Sequence, residues 1–346
     1  LPDWKIALRP IVPLLLILAL HLLGPAHAQG SGSVTLDTIR ARGALVCGIS
    51  GTNPGFAFPD KSGEMRGSEA DFCRAVAAAT LGDASKVNWV ILTSTTRFTA
   101  LQSGEVDLLV RTATWTLSRE ASLGLMVAGV TFYDGTGFMV KTDSGVTSAA
   151  QLNGATVCIL PGTSTELAVA DYFRDQDMQF TPILIENVNG LRAAFMAGRC
   201  DAYSTDTSAL ASTRFNEGPN ADKLLLLPEI ISKEPLGPFV RKGDDKWFDI
   251  VRWTHFAMLQ AEELGLSSTT VDAAPSSTSP DVRRLLGSEG ELGKVLGLDD
   301  RWAYAIIKQV GNYGEMWDRN IAPLGIPRSL NGLWKQGGLQ YSPPFR

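Results

Sequence analysis

The sequence predicts an α/β protein of two lobes, each a mainly parallel sheet flanked by helices, with the second lobe inserted into the first. Three observations carry this. The 346-residue chain exceeds the roughly 250–300 residues at which a single hydrophobic core stops growing. Short apolar runs alternate with helical patterns, as right-handed βαβ units require. The alternation also starts twice, near residues 44 and 155.

The elements follow in order. Residues 36–42 are a short helical pattern stopped by Gly43, and 44–49 are an apolar run of strand length. Phe72, Val76 and Ala79 recur at helical spacing within 69–80. Residues 88–92 are strand-like, 95–103 helical up to Gly104, and 106–110 a further buried strand. The second series has strand 155–160, helix 167–173, strand 181–185, helix 190–197 and strand 201–204. The extended pieces 138–141 and 237–240 flank it and read as hinge strands. Lobe one is therefore expected from residues 34–138 and 237–346, and lobe two from 139–236. Helices over 246–264 and 300–317 are expected to pack back on lobe one, with 273–280 a polar loop.

Composition narrows function. Hydrophobic residues make up 45% of the chain, too many for a disordered one. The formal net charge is -5 with no run of Lys or Arg, which excludes a nucleic-acid backbone binder. Lys5 and Arg9 precede an apolar stretch that ends in Ala26-His27-Ala28, the pattern of an export signal cleaved near Ala28. In an oxidising compartment Cys47, Cys73, Cys158 and Cys200 read as two disulfides, for which three pairings exist. If there are two lobes, Cys47–Cys73 and Cys158–Cys200 would staple one each; four buried thiols are the alternative. Beyond the signal only His255 remains among histidines and no CxxC occurs, so neither a metal nor a cofactor is expected.

Three motifs follow strands at the end where open α/β sheets bind ligands. Thr114 to Arg119 offers hydroxyls and a guanidinium that matches a carboxylate; it also reads as a helix start, with Thr116 or Ser118 as cap and Arg119 on the surface. Gly162-Thr163-Ser164-Thr165-Glu166 reads as an anion-binding helix N-terminus and as a capping box, and both can hold together. Asp206 could pair with an ammonium group, whereas Asp201 reads as a turn former. GxSxG and HExxH are absent, and His255 sits among Trp253, Phe256 and Met258 as a packed core residue does.

These stretches, with Asp71-Phe72-Cys73-Arg74-Ala75, the segment from Arg97 to Asp107 and the terminal Tyr341 to Arg346, resemble the periplasmic solute-binding proteins of polar amino-acid ABC transporters. The resemblance is especially to the broad-specificity general L-amino-acid binders. The resemblance runs nearly end to end. It implies a type II periplasmic-binding-protein clamp, monomeric, that closes on a free L-amino acid and docks on separate membrane permease subunits. It further implies that Arg119 grips the ligand α-carboxylate with Thr114 beside it, that Thr163, Ser164 and Thr165 are second-lobe donors to it, and that Asp206 receives the α-ammonium. Phe56 is expected near the ligand side chain. The general binders usually carry Asn where this chain has Thr112, Thr at Ala113 and Gln at Thr207, positions expected close enough to the cleft to shift preference. Two other classes share such a fold. One is an exported dehydratase using Glu69 or Glu166 as its acid; the other is a ligand sensor that docks on a receptor.

Overall fold

In the computed structural model the described residues are Pro2 and 31–346, so the expected export signal, Pro2 apart, lies outside them. Two five-stranded sheets organise the chain. The first runs Val87–Ile91, Leu45–Ile49, Leu108–Leu109, Phe239–Arg241, Leu125–Val127. The second runs Phe180–Leu184, Ala155–Ile159, Ala202–Asp206, Thr136–Lys141, Leu224–Leu226. In each, the first three strands are parallel and the last two pairings antiparallel. The two-lobed α/β expectation holds, but the sheets are mixed rather than mainly parallel. A strand that arrives from the other lobe enters its sheet from the opposite end, so it pairs antiparallel.

The expected hinge strands are displaced. Residues 138–141 lie inside the second sheet and 239–240 inside the first. The crossing is made by a separate antiparallel ribbon, Phe132–Asp134 against Glu234–Leu236, with Glu234 opposite Asp134. Gly237 follows at once. A Cβ there would fall 2.0 Å from the Gly129 carbonyl oxygen, so the ribbon closes only on glycine.

Side-chain alternation explains the packing of the second lobe. Phe138, Val157 and Ala202 face one buried cluster, while Met139, Cys158 and Tyr203 face another on the opposite side. In the first lobe, Cys47 and Ile49 pack with Phe72 and Val76 of helix Ser68–Leu81. Helix Asp245–Glu263 adds Ile250 and Met258 to that core, and Trp302–Gln309 adds Ile306 and Ile307. Those last residues were expected in one helix over 300–317. The structure has two, Trp302–Gln309 and Tyr313–Asn320. Gly311, at a φ of 99°, ends the first; Asn312 starts the second with a capping box to Glu315.

The cysteines pair as Cys47–Cys73 and Cys158–Cys200, with Cα atoms 6.3 Å and 5.6 Å apart. Each bond lies within one lobe. His255 is a packed core residue as expected: its Nε2 lies 3.1 Å from the Gln340 side-chain oxygen, and burial pushes its pKa down to about 4.

Candidate functional site

The carboxyl ends of the parallel strands in both lobes face one cleft, and the lobes are closed across it. Ser94 donates to the Pro161 carbonyl at 2.9 Å, Ser212 to that of Pro54 at 2.8 Å, and Thr93 to the Glu186 carboxylate at 2.8 Å. Between them lies a cavity of about 600 Å³, mouth included, within the usual range for a small-molecule site.

Its lobe-one wall carries Arg97, Arg111 and Thr112. Arg111 follows strand Leu108–Leu109, and its Nε is held by the Leu92 carbonyl at 2.7 Å. Arg97 opens helix Arg97–Ser103; its Nη1 donates to the Arg111 carbonyl at 3.3 Å, while its buried Nε has no hydrogen-bond partner among the described residues. Burial lowers the pKa of both, that of Arg111 to about 10. Thr112 has a φ of 35°, rare for a β-branched residue, and its N–H donates to the Glu69 carboxyl. Glu69 is itself buried, which pushes its pKa up to about 8.

The lobe-two wall carries Asp206, Tyr203 and the start of helix Ser164–Asp175. Asp206 ends its strand fully inside the closed cleft. Burial and the nearby Asp134 and Glu234 carboxylates hold its pKa well above the ordinary value, against the pull of Arg97 and Arg119. Thr163 caps the helix: its Oγ1 accepts from the Glu166 N–H and donates to the Leu160 carbonyl. Glu166 in turn accepts from the Gly162 N–H at 3.0 Å, so its carboxylate is part of the turn.

The residues singled out from sequence fall into three sets. Thr112, Thr163, Ser164, Thr165 and Asp206 line the cavity. Arg119 and Thr114 stand just behind it. Thr116 does cap its short helix, but Arg119 is not on the surface: it is buried, donates to the Thr114 carbonyl at 2.9 Å and lies over the Phe98 ring. It reaches an outer groove that shares Thr163 and Ser164 with the cavity. Phe56 is a correction. It is 1% exposed and packed edge-on against Phe132 in the lobe-one core, so it offers no face to the cleft. Its carbonyl oxygen accepts from the Glu69 N–H at 3.0 Å and would lie 2.1 Å from a Cβ at Gly67, so this close approach needs glycine there.

Two of the three departures also lie off the cavity. Ala113 is core, and the Thr207 hydroxyl donates to Asp134 at 2.6 Å. Asp201 holds Thr156, the structural role expected of it. Arg97, Arg111, Arg192 and Tyr203 also line the cavity and were not foreseen. The rule that placed Thr114 and Asp206 past strand ends applies equally to Arg111, and would have found it.

A two-lobed clamp closed over a cavity lined by buried guanidinium groups and a buried carboxylate is the architecture of a small-molecule binding protein. Residues 45–268 match the family of bacterial extracellular solute-binding proteins, family 3, and the chain belongs to that family. It is 49% identical over 324 residues to the general L-amino acid-binding periplasmic protein AapJ of Rhizobium johnstonii, covering 92% of this chain and 95% of that one. It is 50% identical over 323 residues to the glutamate/glutamine/aspartate/asparagine-binding protein BztA of Rhodobacter capsulatus, with the same coverage of 92% and 95%. Among solved structures, an ABC transporter periplasmic binding protein from Brucella ovis with glutathione bound superposes with a TM-score of 0.88 at 50% identity, over 90% of this chain and 99% of that one.

Proposed function

We propose that this protein captures L-amino acids in the periplasm and delivers them to the permease subunits of an ABC importer. The observation that carries the proposal is the buried Asp206 across the closed cleft from Arg97 and Arg111. An ammonium placed against Asp206 restores the solvation that burial removes, and guanidinium groups do the same for a carboxylate. Asp206 takes the α-ammonium. Arg119 and the first-turn N–H groups of helix Ser164–Asp175 take the α-carboxylate, and Thr112 and Thr165 shape the wall. The remaining buried arginines favour a side chain with a carboxylate or amide oxygen, in keeping with the ligands named for the Rhodobacter relative. Ligand bridges the lobes and stabilises the closed clamp by population shift.

The test is a thermal-shift screen of the mature protein, cleared of bound ligand, against the common L-amino acids. Ligand at 100 times its Kd stabilises by about 2.7 kcal/mol. In Arg119→Ala the affinity falls by about 2–5 kcal/mol, because a desolvated carboxylate loses its partner. No shift with any amino acid, or an unchanged affinity in that variant, overturns the assignment.

A further inference from the structure

Each strand of the crossing ribbon is gripped by both lobes, and the grips meet at one level. Asn331 is 4% exposed and lies just before Leu333 of the lobe-one core, beyond residue 268 where the family match ends. Its side-chain oxygen accepts from the Tyr133 N–H at 2.7 Å, and its amide donates to the Tyr133 carbonyl at 3.0 Å. One side chain thus does for Tyr133 what a neighbouring strand would. Tyr313 donates to the Thr131 carbonyl at 2.9 Å and Gln340 to that of Val130 at 3.1 Å, so lobe one holds the strand up to Tyr133. Lobe two holds the next two residues. Asp134 accepts from the Thr207 hydroxyl at 2.6 Å and the Ser208 N–H at 3.3 Å, and the Thr207 N–H donates to the Gly135 carbonyl at 2.8 Å.

The return strand divides at the same level. Ser232 Oγ accepts from the Thr136 N–H of lobe two at 3.3 Å, whereas the Pro235 carbonyl accepts from the Trp115 N–H of lobe one at 2.8 Å. Between them stands Glu234, opposite Asp134. Its buried carboxylate accepts from Thr114 of lobe one and Ser164 of lobe two, with Arg119 and Asp206 as charged neighbours. Domain closure is absorbed by a few residues at the ends of elements. Here backbone rotation is left to Asp134 and Gly135 on one strand and to Lys233 and Glu234 on the other.

We infer that Asn331 is a positioning residue of the clamp: by holding Tyr133 to lobe one, it confines the closing motion to Asp134 and the residues facing it, so that the lobes meet in the register that builds the cavity. This rests on the reading that the clamp closes on an amino acid. Asn331 does not itself line the cavity. Without its grip, rotation spreads back over Val130–Tyr133 and more open arrangements compete with the closed one. Affinity then falls by the lost fraction of closed form, by one factor for every ligand.

The experiment pairs residue-resolved amide hydrogen exchange with calorimetric titration of the mature protein, using L-glutamate and L-glutamine as probes. Wild type is compared with Asn331→Ala and with Thr207→Val, which loosens the lobe-two grip on Asp134; melting curves show which variants fold. In wild type the Tyr133 amide should be protected with or without ligand, while that of Gly135 becomes protected on binding. In Asn331→Ala the Tyr133 amide should exchange about tenfold faster without ligand and recover on binding. Both affinities should fall together by about fivefold. A merely local role speeds Tyr133 exchange equally with and without ligand and leaves the affinities alone. That result, or affinities that change by unequal factors, overturns the proposal. If Asn331→Ala does not fold, Thr207→Val decides: Tyr133 stays protected and both affinities fall, and unchanged affinities overturn the proposal. Failure of wild type to bind either probe removes the amino-acid reading alone. The hinge is then judged from ligand-free wild type, where a Tyr133 amide exchanging as fast as that of Gly135 overturns it.

Discussion

Replacing Thr112 by Asn should stabilise the protein although it alters a cavity wall. A left-handed backbone costs a residue with a Cβ about 1–2 kcal/mol, and Thr112 holds a φ of 35°. Its N–H bond to Glu69 is a backbone bond that any residue but proline keeps. Asn enters this region more easily because its short polar side chain bonds locally. The gain for Thr112→Asn is thus about 1 kcal/mol, or a rise in melting temperature of about 2–4 °C in a domain of this size. Thr112→Gly removes the strain too, but loses about 0.5–1 kcal/mol to the added freedom of its unfolded chain, so it should fall near wild type. Thr112→Val keeps the β-branch and should gain nothing. Differential scanning calorimetry of the ligand-free variants gives the ranking. If Thr112→Asn melts below wild type, or Thr112→Val rises as far, relief of backbone strain is not the cause.

Other outcomes follow from the same structure. Loop-closure entropy for separations of 42 and 26 residues makes the Cys158–Cys200 bond worth about 4 kcal/mol and Cys47–Cys73 about 3.5 kcal/mol, read as lost unfolding free energy in the paired serine variants. A loss under 1 kcal/mol in either would contradict this. For His255, folding holds a pKa of about 4 where the unfolded chain has about 6.5. The unfolded state takes up the proton first, so stability falls as pH drops from about 6.5 to about 4, by about 3 kcal/mol. His255→Gln should flatten that slope in melts at pH 7, 5 and 4; an unchanged slope would assign it to other groups. In Gly237→Ala the new methyl meets the Gly129 carbonyl, so unfolding free energy should drop by about 1–3 kcal/mol. Wild-type stability in that variant would mean the ribbon yields freely.

The strands were legible because a run such as Leu45–Ile49 is apolar and short, and because Gly43 and Gly104 mark the ends of helices in sequence. The hinge was misplaced because residues 138–141 are as apolar and extended as a crossing strand, and only pairing partners tell them apart. Gly311-Asn312 carried the signals of a helix stop and a helix start, yet the apolar spacing ran through them. At the site, Asp206 and the Thr163–Thr165 turn could be found from their place after strands. Phe56 could not be placed, since an aromatic residue in a loop looks the same whether it faces core or cleft. Glu234 left no trace in the sequence. Its partners Thr114 and Ser164 lie 120 and 70 residues away, a distance no local pattern spans.

The insertion of one lobe into the other sets an order of assembly. The second sheet draws every strand from residues 136–226, so it can form from a continuous stretch of chain. The first sheet cannot close until Phe239–Arg241 slots between strands made more than 100 residues earlier. Its core waits longer still, for Trp317 and then for Phe345. Contacts of such long range form slowly, because loop closure must precede them. A chain emerging from its amino end therefore completes the inserted lobe first, while the other lobe stays open until Phe239–Arg241 and the helices after it arrive.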